Sequence, residues 1–217
     1  MTRRFAVLIG ALLGTSISVV GGPVLWYQGD WDFSNGFANE RNTVVSAAAG
    51  YDSFIVPAPG WIITAVFSNN VSDLRSIVGA DWEIRSGISP GNGGTVIASG
   101  MNVPASWTLT GRSGFNYQEY QVYVGGLNVY LSPGQYWLMV RPVGSGGGRS
   151  FVTTTSGLNG VNALLDGVAY FDSSFFGRDF EPNSFDFSMG VEGVVAVPEP
   201  ATLGLAASGL LLILARR

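Results

Sequence analysis

The sequence predicts an all-β domain, an antiparallel β-sandwich of jelly-roll-like type, on three observations. Apolar residues recur with period two and seldom with the helical period. The alternating stretches are short and closely spaced along the chain. Between them stand clusters of proline, glycine, serine and asparagine that break regular structure. Many short strands with such punctuation are the pattern of sandwiches and jelly rolls.

Taken in order, the alternation predicts strands over 52–56, 61–67, 82–86, 95–99, 107–110, 119–124, 127–131, 135–141, 150–155 and 185–191. The turns are PAPG at 57–60, SPGNGG at 89–94, SPGQ at 132–135 and GSGGG at 144–148. The last strand alternates most cleanly: Phe185, Phe187, Met189 and Val191 face one way, Asp186, Ser188 and Gly190 the other. Glycine accounts for 31 of 217 residues and proline for 10, yet aromatics at 12% supply enough apolar bulk for a packed core.

This domain, residues 22–196, lies between two segments of different character. Residues 1–21 open with Arg3-Arg4, continue with an apolar stretch from Phe5 to about Val20, and end in small residues, as a secretory signal peptide does. Arg3-Arg4 would also suit a twin-arginine signal; no cofactor chemistry calls for one, so export through the Sec translocon is the expectation. Residues 197–217 hold Val197-Pro198-Glu199-Pro200, an uncharged apolar run from Ala201 to Ala215, and Arg216-Arg217. The two prolines hold the triplet extended, and a helix can start just beyond them. At about 1.5 Å per residue that helix is about 22 Å long, short of a bilayer core of roughly 30 Å. It crosses only with local thinning or arginine snorkelling, and the positive-inside rule leaves Arg216 and Arg217 on the cytoplasmic side.

The triplet, the apolar helix, the terminal arginines and the signal peptide together resemble the PEP-CTERM proteins of Gram-negative bacteria. The resemblance covers about a tenth of the chain. It implies that the tail is a sorting signal, cleaved near the triplet by an integral-membrane exosortase in organisms that make extracellular polysaccharide. The protein would then be exported through the inner membrane, anchored transiently, and released to the cell surface or extracellular matrix. A plain single-pass anchor would call for a longer apolar run and gives the proline pair no role. Leu131-Ser132-Pro133-Gly134-Gln135-Tyr136-Trp137-Leu138 also looks like the opening of a strand common in secreted sandwich domains of this class; it implies an architecture and no chemistry.

The absences limit the function. There is no cysteine, histidine or lysine, and all 11 basic residues are arginine. Disulfides, thiol nucleophiles, Ser-His-Asp triads, Schiff bases and ordinary zinc, copper or haem sites are therefore excluded. Without Arg3, Arg4, Arg216 and Arg217, and with Glu199 retained, the chain keeps seven arginines against fifteen acids, a charge of about −8, which disfavours nucleic acid and anionic membranes. Carboxylate chemistry and hard-cation binding survive this filter.

Three constellations fit what survives. Asp30, Asp32 and Glu40, with Ser34 and Gly36 between, place oxygen donors in an order that resembles a calcium loop, although the spacing departs from the EF-hand; the competing reading is an acidic turn with solvated carboxylates. Trp26, Tyr27 and Trp31, and Phe171, Phe175, Phe176 and Phe180 beside Asp172, Arg178 and Asp179, could stack on sugar faces or fill the core. Asp81 with Glu83, or Asp179 with Glu181, would serve glycoside hydrolysis only if they faced each other at the right separation, which sequence neighbours do not establish. The expectation is a non-enzymatic surface or matrix protein with a structural or adhesive role and no obligatory cofactor. The alternative is a carbohydrate-binding module acting on exopolysaccharide.

Overall fold

The computed structural model describes residues 22–197. Asp30, Asp32, Glu40 and Val197 are among them; the predicted signal peptide, Pro198-Glu199-Pro200, the apolar helix and Arg216-Arg217 lie outside. The described residues form strands and loops only, in two sheets whose named strands all pair antiparallel. One sheet runs β1 (Val24–Tyr27), β14 (Met189–Val195), β4 (Trp61–Ser72), β10 (Ser150–Thr155), β13 (Asp186–Phe187). Strand β2 (Trp31–Ala38) joins it on β10, and β8 (Tyr117–Leu131) with β7 (Ser106–Gly114) extends it from β4. The other sheet runs β12 (Arg178–Asn183), β11 (Ala169–Ser173), β3 (Ala49–Val56), β9 (Gly134–Gly144), β5 (Ile77–Ser86), β6 (Thr95–Val103).

One apolar cluster draws side chains from both sheets: Phe54 of β3, Ile84 of β5 and Leu138 of β9 meet Ile63 of β4, Val122 of β8 and Met189 of β14. This is the sandwich core. β9 buries its other face as well, because Trp137 and Met139 pack with Tyr51, Tyr170 and Phe180 in a second cluster. The alternation of Tyr136, Leu138 and Val140 against Trp137 and Met139 thus separates two buried layers, and β9 is the central strand of its sheet.

Polar groups also cross the core. Asn39, just after β2, donates from Nδ2 to Asn70 Oδ1 of β4 at 2.9 Å and to the Val140 carbonyl of β9 at 2.7 Å, and its Oδ1 accepts from Gly50 N of β3. Asn70 Nδ2 donates to Ser68 Oγ at 2.7 Å, and that hydroxyl donates to the same Val140 carbonyl at 2.8 Å. All three side chains are buried. Their bonds tie β4 to β9 and β3 without a covalent link.

Several predicted elements are extended or corrected. The stretches 119–124 and 127–131 form one strand, β8, kinked where its register with β4 shifts near Gly125 and Gly126; Gly126 has φ of 75°. The stretch 185–191 divides at Ser188, where the chain leaves β10 for β4; Phe187, Met189 and Val191 are buried as the alternation requires, while Phe185 is 38% exposed. Four strands escaped the alternation: β1, β2, β11 and β12. Segment 29–36 is not a free acidic turn, since most of it lies in β2, paired with β10.

Replacing Asn39 with alanine orphans Asn70 Oδ1 and Gly50 N and removes one of two donors from Val140. A buried unsatisfied group costs about 1–3 kcal/mol. The mature protein should therefore lose at least about 2 kcal/mol, and thermal unfolding followed by circular dichroism should show a midpoint lower by about 4–8 °C with a native spectrum below it. A midpoint within about one degree of the parent would show that the cross-sheet bonds contribute nothing.

Candidate functional site

Asp30, Asp32 and Glu40 each take their own partners. Asp30 Oδ1 accepts from the Tyr27 hydroxyl at 2.6 Å and lies 3.0 Å from Arg112 Nη1, while Oδ2 accepts from Asn159 Nδ2 at 2.9 Å. Asp32 Oδ1 accepts from Ser34 N at 2.9 Å and from Thr154 Oγ1 at 2.7 Å, which pins β2 to β10. Glu40 is fully buried, paired with Arg149 and bonded to Asn42 Nδ2 at 2.9 Å and Ser150 N at 2.7 Å. The three are not gathered into one cluster, and among the described residues no group of three or more Asp and Glu is placed to hold a metal ion.

Their electrostatics follow from these partners. Burial pushes the Asp30 carboxyl up, but hydrogen bonds from Tyr27 and Asn159 and the charge of Arg112 outweigh it, so the group ionises more readily than a free aspartate. At Glu40 burial wins over Arg149 and Ser150 N, and the carboxyl sits above its ordinary range. Asp52 is the extreme: wholly buried, bonded only to Phe187 N and Ser53 N, with Asp186 and Asp166 nearby, it is raised well above a free aspartate.

Three of the four carboxylates considered for hydrolysis, Asp81, Glu83 and Glu181, are likewise occupied. Asp81, 2% exposed, holds Arg41 through two bonds of 2.8 Å and Arg141 through one of 3.0 Å, and accepts from Asn102 N. Glu83, two residues along β5, pairs with Arg85 and accepts from the Tyr51 hydroxyl at 2.9 Å. Glu181 pairs with Arg178 at the surface. Arg112 joins Asp30 to buried Glu119 along one wall of an open cavity of about 360 Å³, lined also by Tyr27, Phe67, Thr108 and Glu192. The Glu192 carboxylate accepts from Tyr123, whose hydroxyl burial and that carboxylate push up to about 12. These groups hold one another in place, and the arrangement provides hydrogen-bonding walls.

Of the aromatic candidates, Trp26, Trp31 and Phe180 are core, Tyr27 and Phe171 are half-buried, and Phe175 and Phe176 are exposed. The exposed pair continues into rings that sequence reading did not single out: Phe115 in the β7–β8 turn, Tyr117 at the start of β8, and Phe151 on β10. No local pattern marks them, because strand pairing alone brings them together.

At the other end of the domain the chain leaves cleanly. Ala196 N donates to the Gly60 carbonyl at 2.8 Å, and Val197, the first residue of the predicted sorting motif, is 83% exposed. The family described as the PEP-CTERM protein-sorting motif matches residues 196–217. No curated protein matches the chain significantly.

Burial alone would raise the Asp81 carboxyl, but bonds from Arg41 and Asn102 N and the charge of Arg141 hold it below the ordinary carboxylate range. A depressed acid contributes stability that is present above its unfolded pKa of about 3.9 and is lost as pH falls through the folded value. Asp81→Asn should therefore melt below the parent at about pH 7, by the equivalent of about 1.5–3 kcal/mol for a lost charged hydrogen-bond set, and the two curves should converge toward about pH 2. A constant gap across that range would remove the ion pairs as its cause.

Proposed function

We propose that the chain is an exported, non-enzymatic protein of the cell surface or extracellular matrix with a structural or adhesive role. The PEP-CTERM motif at 196–217 marks a protein that is exported, sorted at the membrane and processed by an exosortase. The observation that carries the rest is the exit at Val197. The strand before it, β14, is held between β1 and β4, so its place in the sheet does not depend on the tail. Cutting near the triplet would release a complete sandwich. Arginine pairing of Glu40, Asp81, Glu83 and Glu119 supports a structural over a catalytic use of the acids.

The tail provides the test. In a host with an exosortase, intact-mass measurement of the exported protein should give a chain lacking Arg216, Arg217 and most of the run between Ala201 and Ala215. Changing Pro198 and Pro200 together to alanine lets the helix extend upstream, and the variant should stay in the inner membrane with its tail uncut. An exported parent protein of full C-terminal mass would overturn the reading.

A further inference from the structure

We infer that the aromatic trough beside β2 is a binding site for an uncharged polysaccharide chain. The inference rests on the surface or matrix role proposed above and supplies its ligand. Three depressions of about 210, 300 and 310 Å³ lie side by side. The first two share Gly36 and Phe151, and the second and third share Phe37, Phe171 and Arg178, so they form one continuous groove. Each is at or below the lower end of the roughly 300–1,000 Å³ of compact ligand pockets. A row of small, open depressions suits a chain of linked rings better than one compact molecule.

The walls have the chemistry of a sugar's two sides. Phe115, Tyr117, Phe151 and Phe176 present ring faces and edges for the C–H surface of a pyranose, while Asn35, Arg178, Glu181 and Asn183 supply planar hydrogen-bonding groups for its hydroxyls. Asn183 Oδ1 accepts from Phe185 N, but its Nδ2 is a buried donor with no partner among the described residues, in the wall of the third depression.

The rings are also held in position. Arg149 lies 4.9 Å from the centroid of Phe151 and 5.9 Å from that of Phe176, and is itself fixed by Glu40. Gly36 keeps the floor flat, since a Cβ there would come within 3.1 Å of Phe151 Cβ. Phe115 sits at φ 54° in the two-residue turn between β7 and β8, a left-handed position where asparagine or glycine is usual. A bulky ring in that conformation costs stability and is the kind of strain found at binding sites.

Charge selects among polymers. Arg149 is paired with Glu40 and Arg178 with Glu181, so the groove has no spare cation for an anionic chain. Nucleic acid and acidic polysaccharide are disfavoured on that ground, and a neutral glycan is the occupant that remains.

Affinity electrophoresis of the exported protein tests this, whichever C-terminus the mass measurement gives it, so failure here is separate from failure of the processing reading. The gels contain hydroxyethyl cellulose, galactomannan or soluble mixed-linkage glucan, with alginate as the anionic comparison. At least one neutral polymer should retard the parent while alginate does not. Phe115→Ala and Phe176→Ala, both exposed in the parent, should keep its circular dichroism spectrum and weaken retention about three- to tenfold each. Leu158→Ala, exposed elsewhere, should be retained like the parent. No retardation by any neutral polymer, equal retardation by alginate, or unchanged retention of both phenylalanine variants overturns the inference.

Discussion

The carbonyl of Val140 is the point on which the sandwich turns. A chain with no cysteine must hold its two sheets by what crosses between them, and apolar packing is non-directional: it rewards burial without fixing how one sheet lies on the other. Val140 O accepts from Asn39 and from Ser68, and those residues are linked through Asn70. Both lone pairs of a central-strand carbonyl are thereby used to set the relative position of β4, β9 and the end of β2. Such bonds add modestly to net stability, but an arrangement that left any of them unmade would bury an unsatisfied group. The penalty for alternatives is what selects one packing.

The same logic explains why the basic residues are arginine. Arg41 meets Asp81 through both Nε and Nη2, a fork geometry that an ammonium cannot reproduce. Arg112 and Arg149 likewise reach fully buried carboxylates, Glu119 and Glu40, from partly exposed positions. A buried acid is tolerable only with a partner or hydrogen-bond donors. Asp52 has backbone donors and no arginine, and it is accordingly the carboxyl pushed furthest toward its neutral form. The acids that composition left as candidates for chemistry are largely spent on this internal pairing.

Legibility in the sequence follows from where each element's information resides. β9 and β10 were plain because alternation and a Pro-Gly or glycine-rich turn mark them locally. β2 was not: Asp32, Ser34, Asn35 and Gly36 are turn formers, and what makes the segment a strand is the pairing of Trp31 with Thr155 and of Gly36, Phe37 and Ala38 with Thr153, Val152 and Phe151 far along the chain. The same residues suggested a calcium loop, because oxygen donors at alternate positions look alike whether they wrap an ion or bond across a ladder, as Asp32 does to Thr154. β11 and β12 carry Asp172, Arg178, Asp179 and Glu181 amid their apolar residues, which blurs the alternation, and Pro182 suits the edge that β12 occupies. β8 was read in two pieces because its bulge at Gly125 and Gly126 interrupts the period while the strand continues.

The two functional regions differ in the same way, for a reason that lies in who reads them. A sorting motif is met by a membrane enzyme as a contiguous stretch of chain, so its information has to be local, and residues 196–217 could be recognised without any structure. A groove is met only by a ligand of the folded state. Its rings come from β2, β8, β10, β11 and two turns, and only Phe171 and Phe176 among them are close enough in sequence to have been singled out. The local oddities that do mark it, a phenylalanine at positive φ and a glycine in the middle of β2, acquire meaning once β2 is seen against β10. Register, which the cross-sheet bonds and the buried acid pairs hold fixed, is thus the quantity through which this sequence specifies its binding surface.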